Sequence, residues 1–171
     1  VKKGDQVLIQ AEDVSDELTK EVYKEVLKKG GHPLVFTKFA EQEELFYKFA
    51  DEHQLNYSAP FIKYLMENVD ASLRILGHNN TKNLASVDPE KIKKRSIAQK
   101  EISEIVMNRA AEGSLNWNIC QFPTHADAQE AGMSLSDYRE FVYQACHLNK
   151  KDPVAYWTEF GNELERIAGI L

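Results

Sequence analysis

Hydrophobic residues are arranged along this chain in two alternating patterns, short apolar runs and longer stretches with helical spacing. The apolar runs predict four β-strands, at about residues 6–10, 33–37, 71–76 and 117–122. Between the runs, apolar residues recur every three or four positions, which is typical of amphipathic helices. The first helical stretch, residues 13–29, shows this spacing at Val14, Leu18, Val22 and Val26. The chain therefore starts as strand, helix, strand.

Capping residues mark where the later helices begin and end. We predict helices over residues 41–53, 61–68 and 88–112, followed by a helical C-terminal segment that is broken near Gly132 and near 149–151. Asp88-Pro89 and Asp152-Pro153 each place an N-cap residue before a proline suited to a first helical turn. Ser134, followed three residues later by Asp137, resembles a capping box. Gly113 suits a helix stop.

Strands that alternate with helices predict an α/β fold. We expect a mostly parallel sheet of about four strands, with helices on both faces and a helical C-terminal segment. The first strand–helix–strand unit favours a right-handed parallel crossover. A length of 171 residues fits a single domain, 1–171, with a sizeable core. The residues predicted to be mostly buried in the strands are Leu8, Val35, Ile75, Trp117 and Ile119.

Composition narrows the classes of partner. Hydrophobic residues make up 43% and charged residues 28% of the chain, as in ordinary globular proteins. The net charge of −6 argues against a nucleic-acid surface, which needs clustered excess lysine and arginine. The one basic cluster, within residues 91–95, is interpreted as a solvated helix face.

The sequence also bears on the cellular compartment and on the state of the cysteines. No run approaches about 18 apolar residues and no signal-peptide pattern is present, so we expect no membrane span and a cytoplasmic protein. The two cysteines, Cys120 and Cys146, are interpreted as buried thiols, with a disulfide left open as the alternative.

No catalytic motif is found in the sequence. The connection after the first strand, residues 10–16, contains three acids and no glycine, which excludes the glycine-rich turn of dinucleotide sites. Neither a phosphate-binding loop, nor His-Glu-x-x-His, nor a Gly-x-Ser-x-Gly elbow occurs. His125 and Asp127 have a spacing that suits two metal ligands, but no third ligand lies within sequence reach. We therefore assign no catalytic residue and no metal ligand.

A binding site is predicted from position alone. In open α/β sheets ligands bind beyond the carboxyl ends of the strands. Those ends are Glu12-Asp13, the Thr37-Lys38 region, residues 78–81 and residues 123–125. The candidate substrate-cavity residues among them are Asn79, Asn80, Thr81, Thr124 and His125. The alternative interpretation of the Asn-Asn-Thr turn is a cap for the segment that follows.

A series of short motifs, spread over the whole chain in a fixed order, resembles a known family. The motifs are residues 2–9 (Lys-Lys-Gly-Asp-Gln-Val-Leu-Ile), Val22-Tyr23, Gly30-Gly31, residues 87–90 (Val-Asp-Pro-Glu), Trp117, Pro123-Thr124, Ala128, residues 152–154 (Asp-Pro-Val) and Trp157. In this order and spacing the chain resembles the N-terminal domain of the metallo-aminopeptidases of the aminopeptidase T and aminopeptidase S type. The helix that usually precedes the Lys-Gly turn in that family is absent. His125 and residues 128–133 receive no inherited role.

The resemblance implies a two-domain enzyme that removes N-terminal amino acids from peptides. Two divalent metal ions, such as zinc or cobalt, would belong to a C-terminal domain, and the parent protein would be a homodimer. The present chain, which starts at Val1 without a methionine, would be the non-catalytic N-terminal domain excised from that protein, with no cofactor of its own. The alternatives are a free-standing α/β domain that binds a small ligand, and an interaction or oligomerisation module without catalysis.

Overall fold

A parallel four-stranded sheet organises the part of the chain that the structure, a computed structural model, describes: residues 1–170. The strands are β1 (Gln6–Glu12), β2 (His32–Lys38), β3 (Ala71–Leu76) and β4 (Asn116–Gln121). Their order across the sheet is β2-β1-β3-β4, and every neighbouring pair is parallel. The predicted α/β fold, the parallel sheet and all four strand positions are confirmed.

Helices connect the strands and follow the last one. Within residues 1–170 they are α1 (Asp16–Lys28), which follows a 3₁₀ turn (Asp13–Ser15), α2 (Gln42–Phe49), α3 (Glu52–Leu55), α4 (Pro60–Asn68), α5 (Pro89–Ala98), α6 (Lys100–Ala111), α7 (His125–Glu130), α8 (Leu135–Ala145) and α9 (Pro153–Ala168). The predicted caps at Asp88, Ser134 and Asp152 each accept a hydrogen bond from a backbone N–H of the first helical turn. The helical C-terminal segment is confirmed.

Two predicted helices are interrupted. The stretch 41–53 is divided between α2 and α3, because Asp51 and Gln54 form a reciprocal capping box that starts a new helix. The stretch 88–112 is divided at Gln99, whose backbone leaves helical geometry at φ −93° and ψ 0°. The predicted stop at Gly113 is confirmed by its left-handed φ of +72°.

Strand β1 contributes side chains to a core on each face of the sheet, because successive residues of a strand point to opposite faces. Val7 and Ile9 pack with Val26 of α1 and with Ile75 of β3. Leu8, on the other face, packs with residues of α4 and α6, the set being Leu65, Met66, Ile102 and neighbouring residues. Helices therefore lie on both faces of the sheet, as predicted.

The predicted core is confirmed in the central strands and wrong in the edge strands. Leu8 and Ile75 are 0% and 1% exposed. Val35 is 37% exposed, Ile119 51% and Trp117 59%. Val35 belongs to β2, and Trp117 and Ile119 belong to β4; these two strands are the edges of the sheet. Neither Trp117 nor Ile119 joins the core that α4 and α6 form on the Leu8 face. An apolar run predicts a strand without specifying what covers it.

The C-terminal helices present an uncovered apolar face within residues 1–170. The exposed apolar residues of α9 are Val154, Trp157, Phe160, Leu164 and Ile167. Helix α9 is anchored to the α8–α9 link, where Trp157 Nε1 donates a hydrogen bond to the Cys146 carbonyl at 2.9 Å. The ring of His147 also lies 4.3 Å from that of Tyr156.

Both cysteines are free thiols. Cys120 is half-buried on β4, whereas Cys146 is exposed. The interpretation of Cys146 as a buried thiol is therefore wrong, because it lies at the C-terminal cap of α8, at the start of the link, and not on a packed helix face. Among the described residues, no helix is both long enough and apolar enough to cross a lipid bilayer.

Candidate functional site at the carboxyl edge of the sheet

The carboxyl ends of β1, β2 and β3 open into two adjoining grooves. The first, of about 410 Å³, is lined by residues 77–81 after β3 and by residues 38–43 after β2. The second, of about 830 Å³, extends over the sheet towards α4 and α5. Glu12, Lys38, Gln42 and Arg74 line both grooves and form their shared wall. This is the edge of the sheet at which α/β proteins bind ligands.

The turn after β3 is fixed by close packing and by polar contacts to two neighbouring segments. At Gly77 a Cβ atom would lie only 2.9 Å from Val14 Cγ1, so a larger residue would force Val14 or the turn to shift. Asn79 Nδ2 donates a hydrogen bond to Asp13 Oδ1 at 2.8 Å, which ties the turn to the segment after β1. Thr81 Oγ1 donates to Glu130 Oε1 at 2.7 Å, which ties it to α7.

Asp127 is the main polar anchor between this turn and α7. Its Oδ1 lies 2.8 Å from His78 Nδ1. Its Oδ2 accepts hydrogen bonds from Thr124 Oγ1 at 2.7 Å and from Gln121 Nε2 at 2.8 Å. The side chain is only 11% exposed, so it depends on these partners to satisfy its charge.

The described residues do not fit a two-metal centre. Such a centre needs several carboxylate and imidazole ligands around two ions. Within residues 1–170 no three His, Cys, Asp or Glu side chains converge in a way that could hold an ion. The best pair, His78 and Asp127, is already satisfied by protein contacts, because each Asp127 oxygen has a partner. We assign no metal-dependent step to these residues.

The shared groove wall contains two cations, Lys38 and Arg74, and one carboxylate, Glu12. Lys38 Nζ lies 2.6 Å from Glu43 Oε1 and 4.0 Å from Glu12 Oε1. Burial raises the pKa of the Glu12 carboxyl, and the Glu43 carboxylate raises it further, against the opposing effects of Lys38, Arg74 and His78. Glu12 is thus a partly desolvated carboxyl group with cations and the Glu43 carboxylate around it.

The predicted site residues fall into two groups. Asn79, Asn80 and Thr81 line the first groove. Thr124 and His125 do not line it: Thr124 is buried and caps α7, and His125 is exposed at the first position of that helix. Asn80 Oδ1 also accepts a hydrogen bond from the Lys82 backbone, which agrees with the alternative interpretation of this turn as a cap. Whether any of the five contacts substrate stays a prediction.

Sequence reasoning named Glu12 and Lys38 only as residues at strand ends, left them out of the candidate cavity residues, and missed Arg74. Glu12, Lys38 and Arg74 are far apart in the chain, and only the strand pairing makes them neighbours. Glu12 is in register with Lys38, and Arg74 with Gln10 on β1. The available signal was the presence of charged residues inside, or at the end of, apolar strands.

Comparison with known proteins relates this chain to a metalloprotease family. The profile of the family described as thermophilic metalloprotease (M29) matches residues 1–171. The chain belongs to the M29 family. The structure of wild-type AmpT from Thermus thermophilus is similar to this M29 chain, with a TM-score of 0.79 at 18% sequence identity. The match covers 99% of this chain and 44% of AmpT, so the chain spans less than half of the AmpT chain.

At that identity the similarity to AmpT shows a shared fold. A search of curated proteins found no match to this chain. The family assignment therefore depends on the M29 profile, which covers every residue.

Proposed function

We propose that residues 1–171 form the N-terminal, non-catalytic domain of a metal-dependent aminopeptidase of the aminopeptidase T and aminopeptidase S type. The observation that carries this proposal is the match of a metalloprotease family over the whole chain. It is supported by the shared fold with AmpT, where more than half of the longer chain lies outside the matched region.

In this proposal the grooves at the carboxyl edge of the sheet form part of the wall of the substrate cavity. Asn79, Asn80 and Thr81 supply amide and hydroxyl groups that can pair with a peptide backbone. Residues outside 1–171 bind the two divalent ions, zinc or cobalt for example. The substrate is a peptide, and the parent protein is a cytoplasmic homodimer.

A second candidate function is an interaction or oligomerisation module. The exposed apolar face of α9, with Val154 76% and Leu164 51% exposed, favours this alternative. It predicts self-association of the 171-residue chain, which sedimentation measurements over a concentration series would detect.

The deciding experiment for the main proposal is to read the gene beyond the codon for Leu171. A downstream segment rich in Glu, His and Asp, with His-x-His-x-Asp spacing, would support it. A stop codon at that position would refute it.

The product of a longer gene would then be assayed on short peptides with zinc or cobalt added. We expect release of the N-terminal residue from peptides with a free amino group. N-acetylated versions of the same peptides are the matched control and should stay intact. Internal cleavage of both forms would contradict an aminopeptidase.

A further inference from the structure

The sheet face that contains Leu8 is covered by helices at one end and presents charged side chains at the other. Around Leu8 it is covered by α4 and α6, whose apolar side chains pack on that residue. Its carboxyl half presents Gln10, Glu12 and Arg74, since alternate residues share a face and Gln10 is in register with Arg74. Lys38, in register with Glu12, extends the same surface across β2. The 830 Å³ groove lies over this charged half.

The described residues that line this groove combine an apolar wall with an excess of positive charge. Phe36 and Ile62 form part of the apolar wall. The ionisable lining consists of three cations, Lys38, Arg74 and Arg95, and one carboxylate, Glu12. Glu43, which lies outside this lining, pairs with Lys38, so three cations face two carboxylates. The remaining positive charge, with Arg74 exposed to solvent, favours an anionic ligand.

The three cations differ in their ion-pair and hydrogen-bond partners. Lys38 pairs with Glu43. Arg95 donates to the Tyr57 carbonyl, and its guanidinium lies 5.0 Å from the centre of the Phe46 ring. Arg74, within residues 1–170, makes no ion pair and no side-chain hydrogen bond, in contrast to these two.

We propose that the 830 Å³ groove binds a carboxylate group that has an apolar side chain beside it, with the Arg74 guanidinium as its main contact. A guanidinium offers two parallel N–H donors that match the two oxygens of a carboxylate. The apolar wall accommodates the neighbouring side chain, and the amides of Gln10 and Gln99 provide further donors. Glu12 opposes the ligand and limits its affinity.

Two sources supply this chemistry, the C-terminus of a short peptide and an acidic side chain within a peptide. That the ligand is a peptide rests on the proposed function. The binding of a carboxylate at Arg74 does not rest on the proposed function, because that binding is measured without hydrolysis. Failure of the binding experiment and failure of the aminopeptidase proposal are therefore distinguishable.

The experiment is a calorimetric titration of the 171-residue chain with three probes. Acetyl-Leu-Leu carries a terminal carboxylate, acetyl-Leu-Leu-amide carries none, and acetyl-Leu-Glu-amide carries a side-chain carboxylate. We expect the neutral amide to bind at least about tenfold more weakly than the better of the two carboxylates. The tighter of those two identifies the source. Equal affinity for the neutral amide would overturn the proposal.

Variants test whether Arg74 is the contact. Arg74→Ala should weaken binding of the better carboxylate at least about tenfold, and Arg74→Lys should weaken it less, because it keeps the charge without the paired donors. The control is Arg139, an exposed arginine of α8. Arg139→Ala removes one positive charge outside the groove lining and should leave binding unchanged.

Glu12→Gln removes the opposing carboxylate and should tighten binding roughly threefold or more. A gain of affinity cannot result from unfolding, so this variant separates a binding effect from a folding effect. Unchanged binding by Arg74→Ala, or weaker binding by Glu12→Gln, would overturn the assignment.

Discussion

His78 Nδ1 lies 2.8 Å from Asp127 Oδ1, a contact that spans 49 residues of sequence and joins the turn after β3 to α7. The same carboxylate accepts hydrogen bonds from Thr124 and Gln121, so one nearly buried group holds the end of β4 and the wall of the groove together. The shape of the groove therefore depends on a residue that does not line it.

Replacing Asp127 with alanine should destabilise the chain by about 1–3 kcal/mol, because it leaves the Thr124 and Gln121 donors without their partner. The measurement is chemical denaturation followed by circular dichroism. Asp16→Ala, which removes an exposed carboxylate paired with Lys20, is the control and should change the free energy of unfolding by less than about 0.5 kcal/mol. Equal effects of the two substitutions would contradict the anchoring role of Asp127.

The same substitution at two isoleucines tests where the core lies. Ile75→Ala should cost about 2–5 kcal/mol, because this side chain is 1% exposed and its loss leaves a cavity. Ile119→Ala should cost less than about 1 kcal/mol, because that side chain is 51% exposed on an edge strand. Denaturant melts of the two variants provide the comparison. A large loss at Ile119 would mean that β4 is covered.

The two thiols should react with Ellman's reagent at different rates. Burial raises the pKa of the Cys120 thiol, which lowers its thiolate fraction at neutral pH, and Cys146 is exposed. We expect a fast phase that Cys146→Ala removes and a slow phase that Cys120→Ala removes. A single rate for both thiols would contradict the structure.

The 171-residue chain should hydrolyse no aminoacyl-p-nitroanilide, even with added zinc, cobalt or manganese. Hydrolysis by two metals needs a ligand set that the described residues do not bring together. Calorimetric titration with these ions should likewise show no stoichiometric tight site. A micromolar two-ion isotherm, with turnover that His125→Ala or Asp127→Ala abolishes, would overturn the non-catalytic assignment.

The sequence predicted those parts of the fold that depend on local pattern. Strand positions follow from short apolar runs, and helix ends follow from caps such as Asp88 and Gly113, because these preferences act within a few residues. The parallel α/β arrangement followed from the order of the elements. The breaks at Asp51 and Gln99 escaped prediction because apolar spacing continues across them.

What the sequence alone determined is thus the order and type of the elements and, through motifs spread along the chain, the resemblance to a peptidase family. The tertiary structure alone decided the strand order β2-β1-β3-β4, and with it the exposure of Trp117 and Ile119 on an edge strand. It also decided which polar groups are neighbours. Strand pairing brings Arg74 near Glu12, and the docking of α7 brings Asp127 into contact with His78. The physical reason is that burial and electrostatic contact depend on distance in space, whereas sequence patterns report only distance along the chain.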